Sequence, residues 1–392
     1  MNLVFVGCGY VAEFYVKTLT NYPKLKLVGV YDTNAANLTA FCTRWQVRAY
    51  QGLDQLLADP AVELVVNLTN PRSHYDVTAR CLAAGKHVYS EKPLAMNAAD
   101  ARELVEMAEQ RKLYLAAAPC SMLNETAQTV WHALKSNAIG RVRLVYANFD
   151  DGMIAPALAP WQWTNEAGAP WPAKDEFEVG CTYEHAGYFL TWLAAFFGPA
   201  LRATSFASCL VPQKGIHVDG MAPDFMTACL EYADGIVARV TCSLVAPADK
   251  SLTIIGDEGV IVVPDLRNDR CQVYVRTIPT RGWRARIEGR VNRWRRMLRL
   301  PGAEREWHWW RRYPLVHRST SRFVSASKPV DFCRGLAEMA EAIEQKRASR
   351  LSAELASHIV ELIERLQYPE RFAGKPDVLS RFAPIAPLPA DG

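Results

Sequence analysis

The sequence lacks the features that mark several large classes of protein. It has no uninterrupted apolar run of about 18 residues, so no membrane-spanning helix is predicted. None of its ten cysteines forms a CxxC pair. Their scatter argues against a zinc module or a disulfide scaffold and predicts a reducing, cytoplasmic setting. No His, Cys and Asp cluster has metal-ligand spacing, so no metal is expected.

The charge of the chain is small and unevenly distributed. The formal net charge is +4 over 392 residues. Residues 281–312 alone contain eleven Arg and three Glu, a local charge of +8, so the rest of the chain sums to −4. A surface for nucleic acid along the whole chain is therefore not predicted.

The N-terminal third alternates short apolar runs with helical patterns. Its opening segment, MNLVFVGCGYV, lacks a basic region and a cleavage site, and predicts a buried strand rather than a secretion signal. Apolar strands separated by helices indicate a parallel sheet covered on both faces, here over 1–120. The apolar runs are Leu3–Val6, Leu25–Tyr31, Val62–Leu68, His87–Tyr89 and Leu113–Ala117.

The pattern changes after Pro119. A helix and a strand lead into a loop rich in proline and tryptophan, Asp151–Glu178, and then into a helix over Cys181–Phe197. Closely spaced strand-like runs follow, separated by Asp-Gly, Gly-Asp and Asp-Glu-Gly turns. This spacing predicts a large, mostly antiparallel sheet.

The C-terminal part completes a second α/β domain, predicted over 121–370. A basic insertion rich in Trp and Arg interrupts it at about 281–320, and its last helical stretch, Asp331–Gln367, is expected to break near residues 347–352. Residues 371–392 form a tail with a Pro-rich end that we expect to be loose.

A glycine-rich turn follows the first strand. Gly7-Cys8-Gly9-Tyr10-Val11-Ala12 fits G-x-G-x-x-G/A and opens the first helix. The first Gly permits a tight turn, the second lets backbone approach a pyrophosphate, and Ala12 allows close packing. Asp32 ends the second strand, where its carboxylate can hold the ribose hydroxyls of adenosine. Because no neighbouring Arg would offset a 2′-phosphate, NAD is favoured over NADP.

Two further motifs complete a family resemblance. Asn67-Leu68-Thr69-Asn70-Pro71 with His74 follows one apolar run, and Glu91-Lys92-Pro93 follows another. Together with the glycine turn they resemble the Gfo/Idh/MocA oxidoreductases. The resemblance implies a Rossmann domain, then an α/β domain with an open sheet. It also implies hydride transfer between NAD and a hydroxyl or carbonyl of a sugar, cyclitol, or nucleotide- or lipid-linked sugar. In that reading, these motifs line the cofactor site.

The resemblance also places Lys92 beside the nicotinamide, followed by a peptide bond that is often cis in the family. Its ammonium can hydrogen-bond the reacting oxygen, stabilise alkoxide charge, or lower the pKa of a neighbouring acid. The family pattern D-x-G-x-H-x-x-D is altered here: Glu184 takes the first acidic position, Tyr188 the His position and Thr191 the last. Tyr188 is one candidate for proton transfer. His185, three residues earlier on the same helix, is the other.

Tryptophans in the loop before that helix form the other part of the expected substrate site. Trp161, Trp163 and Trp171 can stack on sugar faces, or they can pack the loop against the sheet. Both interpretations stay open. The residues expected to touch substrate are Lys92, Trp161, Trp163, Glu184, His185 and Tyr188.

The basic insertion predicts an amphipathic helix. Over residues 284–300, Ile287, Val291, Trp294 and Leu298 recur at helical spacing among arginines. Three roles fit residues 281–312. They are peripheral contact with an anionic membrane or lipid-linked substrate, a grip on substrate phosphate, and packing on the chain's own sheet or a partner subunit.

Three functions compete. The first is a dehydrogenase or reductase of a sugar-like small molecule. The second is a redox-neutral enzyme that cleaves or epimerises glycosides by borrowing and returning a hydride. The third is a non-catalytic NAD-binding regulator, which the altered His and Asp positions favour and Lys92 opposes. A homodimer or homotetramer is expected, because the open sheet of such folds usually pairs with another subunit.

Overall fold

A computed structural model describes residues 1–154, 157–278, 283–304, 308–316, 323–325 and 329–389. The first domain is a five-stranded parallel sheet in the order β2-β1-β3-β4-β5. Its strands are β1 (Asn2–Val6), β2 (Lys26–Tyr31), β3 (Leu64–Asn67), β4 (His87–Ser90) and β5 (Leu115–Ala117). Its helices are α1 (Ala12–Leu19), α2 (Ala35–Trp45), α3 (Leu53–Ala58), α4 (His74–Ala83) and α5 (Ala98–Arg111). The predicted parallel sheet is confirmed.

The local sequence explains why these elements begin where they do. Leu3 to Val6 are buried on both faces of the sheet, as expected for a covered parallel strand. The side chain of Asn34 accepts the N–H groups of Ala36 and Asn37 at the start of α2. Since all five strands run the same way, their carboxyl ends share one edge, where open α/β sheets bind ligands.

The second domain is built on an eight-stranded sheet in the order β13-β12-β11-β10-β6-β9-β8-β7. Every pair is antiparallel except the parallel pair β6 and β9, so the predicted mostly antiparallel sheet is also confirmed. Its strands are β6 (Val142–Asp150), β7 (Arg202–Ser208), β8 (Phe225–Glu231), β9 (Val237–Ser243), β10 (Leu252–Gly256), β11 (Gly259–Val263), β12 (Val273–Thr277) and β13 (Arg311–Tyr313).

The second domain also contains helices, most of which cover one face of the sheet and return the chain to the first domain. They are α6 (Glu125–Lys135), α7 (Ala173–Val179), α8 (Gly187–Phe197), α9 (Trp283–Met297), α10 (Arg334–Gln345) and α11 (Ala353–Gln367). A π-helical turn, Thr182–Ala186, precedes α8. Cys333 lies against the carbonyl of Tyr15 at 3.1 Å, and the Glu364 carboxylate on α11 accepts the N–H of Ala98 at 2.9 Å. The two domains therefore share one core, and the expected break between α10 and α11 is present.

The structure corrects three expectations. Helix α3 was not expected, and α7 occupies what the sequence predicted as loop; both helices are short and have a weak apolar period. The tail is not loose over its described part, because the Leu388 amide donates to Gln128 at 2.8 Å and Arg350 donates to the Ala386 carbonyl at 3.1 Å.

The predicted helix of the insertion is present as α9, while Arg281, Trp307 and the chain around them lie outside the described residues. Among the helices described, none is both long and apolar enough to cross a membrane.

Candidate active site

The glycine turn forms a cradle at the carboxyl end of β1. Gly7 has φ +105°, and a Cβ there would lie 2.5 Å from the Leu68 carbonyl oxygen, so only glycine fits. A Cβ on Gly9 would meet no atom within 4 Å, so the backbone there faces open space. Ala12 is fully buried where α1 packs on the sheet. An open backbone next to a helix N-terminus is suited to a pyrophosphate.

Asp32 stands at the end of β2 beside this turn. Its carboxylate accepts the main-chain N–H groups of Cys8 at 2.6 Å and Asn34 at 2.7 Å. The Cys8 side chain points into the core, whereas Tyr10 and Val11 are half-buried at the mouth of the turn. Each carboxylate oxygen keeps a lone pair for a ribose hydroxyl. The cradle and Asp32 therefore fit the dinucleotide that the motif predicts.

A buried polar network fixes the Thr69 turn to the segment that carries Lys92. Asn67 accepts the Thr69 hydroxyl at 2.7 Å. The His74 ring contacts the Pro93 carbonyl at 2.6 Å and the Thr69 carbonyl at 2.9 Å, and burial lowers the pKa of His74. His74 was expected to contact cofactor, but its side chain is fully buried. Its ring holds the carbonyl groups of Thr69 and Pro93 in place.

Lys92 lies in a row of ionisable groups between the domains. The Glu91 carboxylate accepts the Tyr15 hydroxyl at 2.7 Å and the Lys92 amide at 3.0 Å, and the peptide bond from Lys92 to Pro93 is cis. The ammonium of Lys92 pairs with the buried carboxylate of Glu184, which in turn hydrogen-bonds Glu176 on α7.

The electrostatics of this row follow from burial and mutual contact. Burial acts to lower the pKa of Lys92, but the negative charge of Glu184 outweighs that effect and raises the pKa. Burial and the Glu184 carboxylate raise the pKa of Glu176 well above its usual range. Burial also acts on Glu184, yet the neighbouring Lys92 holds its pKa below the usual value. Lys92 is therefore a cation, Glu184 an anion, and Glu176 a neutral acid that donates to it.

Tyr188 and His185 both stack on Phe149, with ring centroids 4.8 Å and 4.9 Å away. The Tyr188 side chain is half-buried, and burial raises its pKa. No described residue hydrogen-bonds its hydroxyl. Burial lowers the pKa of His185 to about 4, so its ring is neutral at pH 7. Its Nδ1 is buried with no hydrogen-bond partner among the described residues, and its Nε2 lies 3.5 Å from Asp151.

Two cations lie next to these rings. The guanidinium of Arg267 is 5.2 Å from the Tyr188 ring centroid, and the ammonium of Lys250 is 5.3 Å from that of Phe149. Lys250 pairs with Asp151. This side of the cleft therefore presents positive charge to a bound molecule.

A strap, defined here as residues 163–178, closes the cleft from the second domain. Asn165 donates to the Tyr10 carbonyl at 3.2 Å. Asn70 donates to the carboxylate of Asp175 at 2.7 Å, across the domain boundary. The strap thus lies over both the glycine turn and the Asn70-Pro71 turn, and it delivers Glu176 to Glu184.

The tryptophans of this region pack within it. Trp161 lies directly over Gly215, where a Cβ would come within 2.6 Å of the indole. Trp163 packs on Trp171 at 5.5 Å between ring centroids, and Trp171 packs on Phe177 at 6.0 Å. Trp163 keeps 36% of its surface exposed. The contacts of Trp163 and Trp171 therefore lie within the loop, whereas Trp161 packs on the segment between β7 and β8.

Sequence reasoning missed Glu176, Arg267, Lys250 and Asp151. A helix N-terminus after Pro172, with acidic residues in its first turn, is the one signal that pointed to α7 and Glu176. Arg267 and Lys250 stand in turns of the large sheet, and no local motif marks them. Both residues reach the site because the folding of the large sheet brings their turns next to Tyr188 and Phe149.

Comparison with known proteins agrees with this fold and cradle. The family model described as "Oxidoreductase family, NAD-binding Rossmann fold" matches residues 1–118. The model described as "GFO/IDH/MocA C-terminal domain" matches residues 127–262. Together they cover more than half of the chain, which belongs to the GFO/IDH/MocA family of oxidoreductases. The predicted family is confirmed.

Individual relatives are distant. Trans-1,2-dihydrobenzene-1,2-diol dehydrogenase of Mus musculus is 26% identical over 267 residues, which are 67% of this chain and 74% of that protein. An oxidoreductase of Agrobacterium radiobacter in complex with NAD+, L-tartaric acid and magnesium superimposes with a TM-score of 0.74 at 16% identity, over 96% of this chain and 98% of that one. UDP-N-acetylglucosamine 3-dehydrogenase of Acidithiobacillus ferrooxidans superimposes with a TM-score of 0.66 at 17% identity, over 94% of this chain and 96% of that one. These structures share the fold.

Proposed function

We propose that the protein is an NAD-dependent oxidoreductase that interconverts a hydroxyl and a carbonyl group of a sugar-like small molecule. The observation that carries the proposal is the Lys92 ammonium, held by Glu184 between the two domains and beside Tyr188. Relatives named for a diol and for a nucleotide sugar support a polyhydroxylated substrate. The bound nicotinamide would supply or accept the hydride at the substrate carbon.

Lys92 acts on the oxygen of the reacting carbon. Its ammonium donates a hydrogen bond to that oxygen and stabilises the negative charge that develops there during hydride transfer. Because Glu184 keeps Lys92 protonated, Lys92 serves as an electrostatic stabiliser and hydrogen-bond donor rather than as a base. Glu176 in turn donates to Glu184, which keeps that carboxylate charged and fixed in position.

Tyr188 is the better candidate for moving the proton. Its hydroxyl has no protein partner among the described residues, and Arg267 and Lys92 both act to lower its pKa against the effect of burial. The buried Nδ1 of His185 cannot reach solvent. We therefore assign His185 to hold Asp151 and the Phe149 stack, and Tyr188 to exchange the proton with substrate.

The experiment is a comparison of Lys92→Met, Tyr188→Phe and His185→Gln with the wild type. Absorbance at 340 nm is followed with a panel of sugars, cyclitols and nucleotide sugars, and NADH binding is measured separately. We expect Lys92→Met to lose about 10³-fold in turnover with NADH affinity unchanged. Near-normal turnover of Lys92→Met would overturn the proposal. Substrate conversion with no net NADH change would instead indicate the redox-neutral reaction.

The preference for NAD over NADP is part of the proposal. A 2′-phosphate would meet the carboxylate of Asp32 at the end of β2, and no Arg follows it. We expect NADH to bind at least about tenfold more tightly than NADPH. Asp32→Asn should narrow that ratio, as measured by titration calorimetry. Equal affinities in the wild type would contradict the assignment.

We also propose that the uncovered face of the large sheet pairs with a second copy of the chain. Leu144, Ile255 and Val260 are cross-strand neighbours on β6, β10 and β11, and all three are half-buried. Such an apolar row on a sheet face favours association. Light scattering should show a dimer or tetramer in the wild type and a smaller species for Val260→Lys. A monomeric wild type would contradict the pairing.

All ten cysteines are free thiols, and Cys229 is exposed. Their free state supports the proposal that the enzyme works in a reducing compartment such as the cytoplasm.

A further inference from the structure

Arg267 is held in the cleft by its own turn. Its main-chain N–H donates to the Asp265 carboxylate at 2.9 Å, in the segment between β11 and β12. Its guanidinium carbon lies 5.2 Å from the ring centroid of Tyr188 and 6.0 Å from that of Phe149. The cation is therefore placed beside the residue to which we assign proton transfer.

The guanidinium forms no ion pair with a described residue, and the carboxylates of Asp151 and Asp265 act on it only at longer range. The nearby carboxylate of Asp151 forms its ion pair with Lys250 and lies 3.5 Å from His185 Nε2. Arg267 is half-buried. A half-buried cation without a direct ion pair loses hydration, and an aromatic ring with more distant carboxylates compensates only part of that loss. A ligand anion would complete the compensation.

We infer that the substrate carries a carboxylate or phosphate group and that Arg267 binds it. This inference rests on the proposed function. A guanidinium stacked by its flat face keeps its N–H edge available, and that edge matches either anion with two parallel hydrogen bonds. The anion would then fix the distance between its own attachment point and the carbon that reacts beside Lys92.

The test is binding to the NADH-saturated protein. D-Glucuronate, D-glucose 6-phosphate and neutral D-glucose are titrated against the wild type, Arg267→Met and Arg267→Lys, followed by tryptophan fluorescence. Arg143→Met is the control, since Arg143 is an exposed arginine paired with Asp257 on the surface. We expect one of the two anions to bind the wild type at least about tenfold more tightly than glucose. Arg267→Met should remove that preference, Arg267→Lys should keep part of it, and the control should keep all of it.

The outcomes separate this inference from the function on which it rests. Equal binding of glucose and both anions by the wild type overturns it, as does an Arg267→Met variant that keeps the preference. Failure to bind NADH would contradict the proposed function itself. Whichever anion binds decides between a sugar acid and a sugar phosphate.

A second observation, independent of the cleft, concerns α9. This helix turns polar residues inward: Glu288 and Asn292 are buried. Most of its apolar stripe faces outward: Ile287 is 37% and Trp294 58% exposed, Leu298 just beyond its end is 57% exposed, and Val291 is half-buried. The orientation is the reverse of a helix that packs its apolar face on its own sheet.

Polar contacts hold the helix in this orientation. The Glu288 carboxylate accepts the Trp309 amide at 3.0 Å and lies 3.4 Å from His308 and 3.8 Å from Arg276 on β12. Glu288 therefore anchors α9 to the edge of the large sheet. Within the described part of the chain, these polar contacts do not involve the apolar stripe.

We propose that the outward stripe of α9 binds an anionic lipid surface. Four exposed arginines flank the stripe, and the exposed Trp309 and Trp310 follow α9 by about a dozen residues in the sequence. Indole rings and apolar side chains enter the interface, while guanidinium groups pair with lipid phosphates. A second copy of the chain fits less well, because a symmetric contact would place these arginines opposite one another. The arginines are Arg286, Arg290, Arg293 and Arg296.

The test is co-sedimentation with vesicles of phosphatidylcholine alone or of phosphatidylcholine with roughly 30% phosphatidylglycerol, which gives an anionic surface. We expect the wild type to bind the anionic vesicles at least about tenfold better and to lose binding as salt is raised. The double variant Trp294→Ser, Leu298→Ser should not bind. Phe206→Ser is the control, because Phe206 is 59% exposed on β7, outside the insertion.

Two results would overturn this proposal. One is the absence of wild-type binding to anionic vesicles, and the other is equal binding by the double variant. If the double variant also changes the oligomeric state by light scattering while no vesicle binding is seen, α9 is a chain-to-chain contact instead. NADH binding by all variants checks that each is folded.

Discussion

At the scale of single residues, the site depends on which atoms can approach the cofactor and on which groups keep their charge. Gly7 and Gly9 are under different constraints, since a Cβ on Gly7 would collide with the Leu68 carbonyl, whereas a Cβ on Gly9 would meet open space. Lys92 keeps its proton because Glu184 opposes it within a buried row. Each of these statements predicts a different response to substitution.

Gly7→Ala and Gly9→Ala should separate folding from cofactor binding. At Gly7 the added Cβ meets backbone at 2.5 Å and φ is +105°, so we expect a loss of about 1–3 kcal/mol in the free energy of unfolding. At Gly9 the added Cβ touches no protein atom, so stability should stay within about 0.5 kcal/mol. NADH affinity should nevertheless fall at least about tenfold, because the Cβ occupies the space for the pyrophosphate.

Urea unfolding and NADH titration check both glycine variants. A Gly9→Ala protein that binds NADH as tightly as the wild type would contradict the placement of the pyrophosphate.

Glu184→Gln should change the pH dependence of turnover. The Glu184 carboxylate raises the pKa of Lys92, so removing its charge lowers that pKa. Loss of the Lys92 proton should therefore produce a high-pH limb in the rate profile of Glu184→Gln, at a pH where the wild type is still fully active. Glu178→Gln on the same α7 is the control, and its profile should match the wild type. A Glu184→Gln profile without this limb would show that Lys92 is not the group that titrates.

At the scale of elements, a short strap and the loop beneath it decide the shape of the cleft. Helix α7 carries Glu176 to the site and rests its Phe177 on Lys214, with the ammonium 5.7 Å from the ring centroid. Lys214 and Asp224 form an ion pair at 2.6 Å, and each side chain is 1% exposed. The strap is thus supported by a charge pair inside the protein.

Lys214→Met should destabilise the protein by about 3–5 kcal/mol, because it leaves the Asp224 carboxylate buried without a counterion. Adding Asp224→Asn should recover part of that loss. Lys174→Met is the matched control: its pair with Asp219 has the same kind of geometry, 2.8 Å, but lies on the surface. Urea unfolding measures all three. Equal effects of Lys214→Met and Lys174→Met would contradict the role of burial.

At the scale of the whole molecule, the C-terminal helices join the two domains and make their stability sensitive to acid. His358 on α11 is fully buried, accepts the Ala200 amide on Nε2 at 3.1 Å, and contacts Ser380 at 2.9 Å. Burial lowers the pKa of His358 to about 4. The folded protein therefore holds this ring neutral, while the unfolded chain takes up a proton near pH 6.5.

The sign of the pH effect follows from that difference. The stability contributed by neutral His358 is present above about pH 6.5 and is lost as the pH falls towards 4, by up to about 1.4 kcal/mol per pH unit. His358→Gln can still accept the Ala200 amide but does not titrate, so its unfolding free energy should fall less steeply. Denaturation at pH 8, 6 and 5 measures the slope. A slope equal to that of the wild type would contradict the assignment. His185, whose pKa is also lowered, adds to the loss of stability in acid equally in the wild type and in His358→Gln.

Much of this molecule was predictable from local pattern. The glycine turn, the alternation of apolar runs with helices, and the Glu-Lys-Pro motif indicated the Rossmann domain, the family and the position of Lys92. The close turns indicated the antiparallel sheet. These features are local because a tight turn, a covered strand and a phosphate cradle each require particular residues at fixed spacing.

The tertiary structure alone decided the rest. It joined Glu176 to Glu184, and it placed Arg267 beside Tyr188 without a direct ion pair to any described residue. It also turned the apolar stripe of α9 away from the sheet. No spacing rule reaches these results, because the charges and surfaces that meet are far apart in the chain. Their energies depend on the burial that only packing creates.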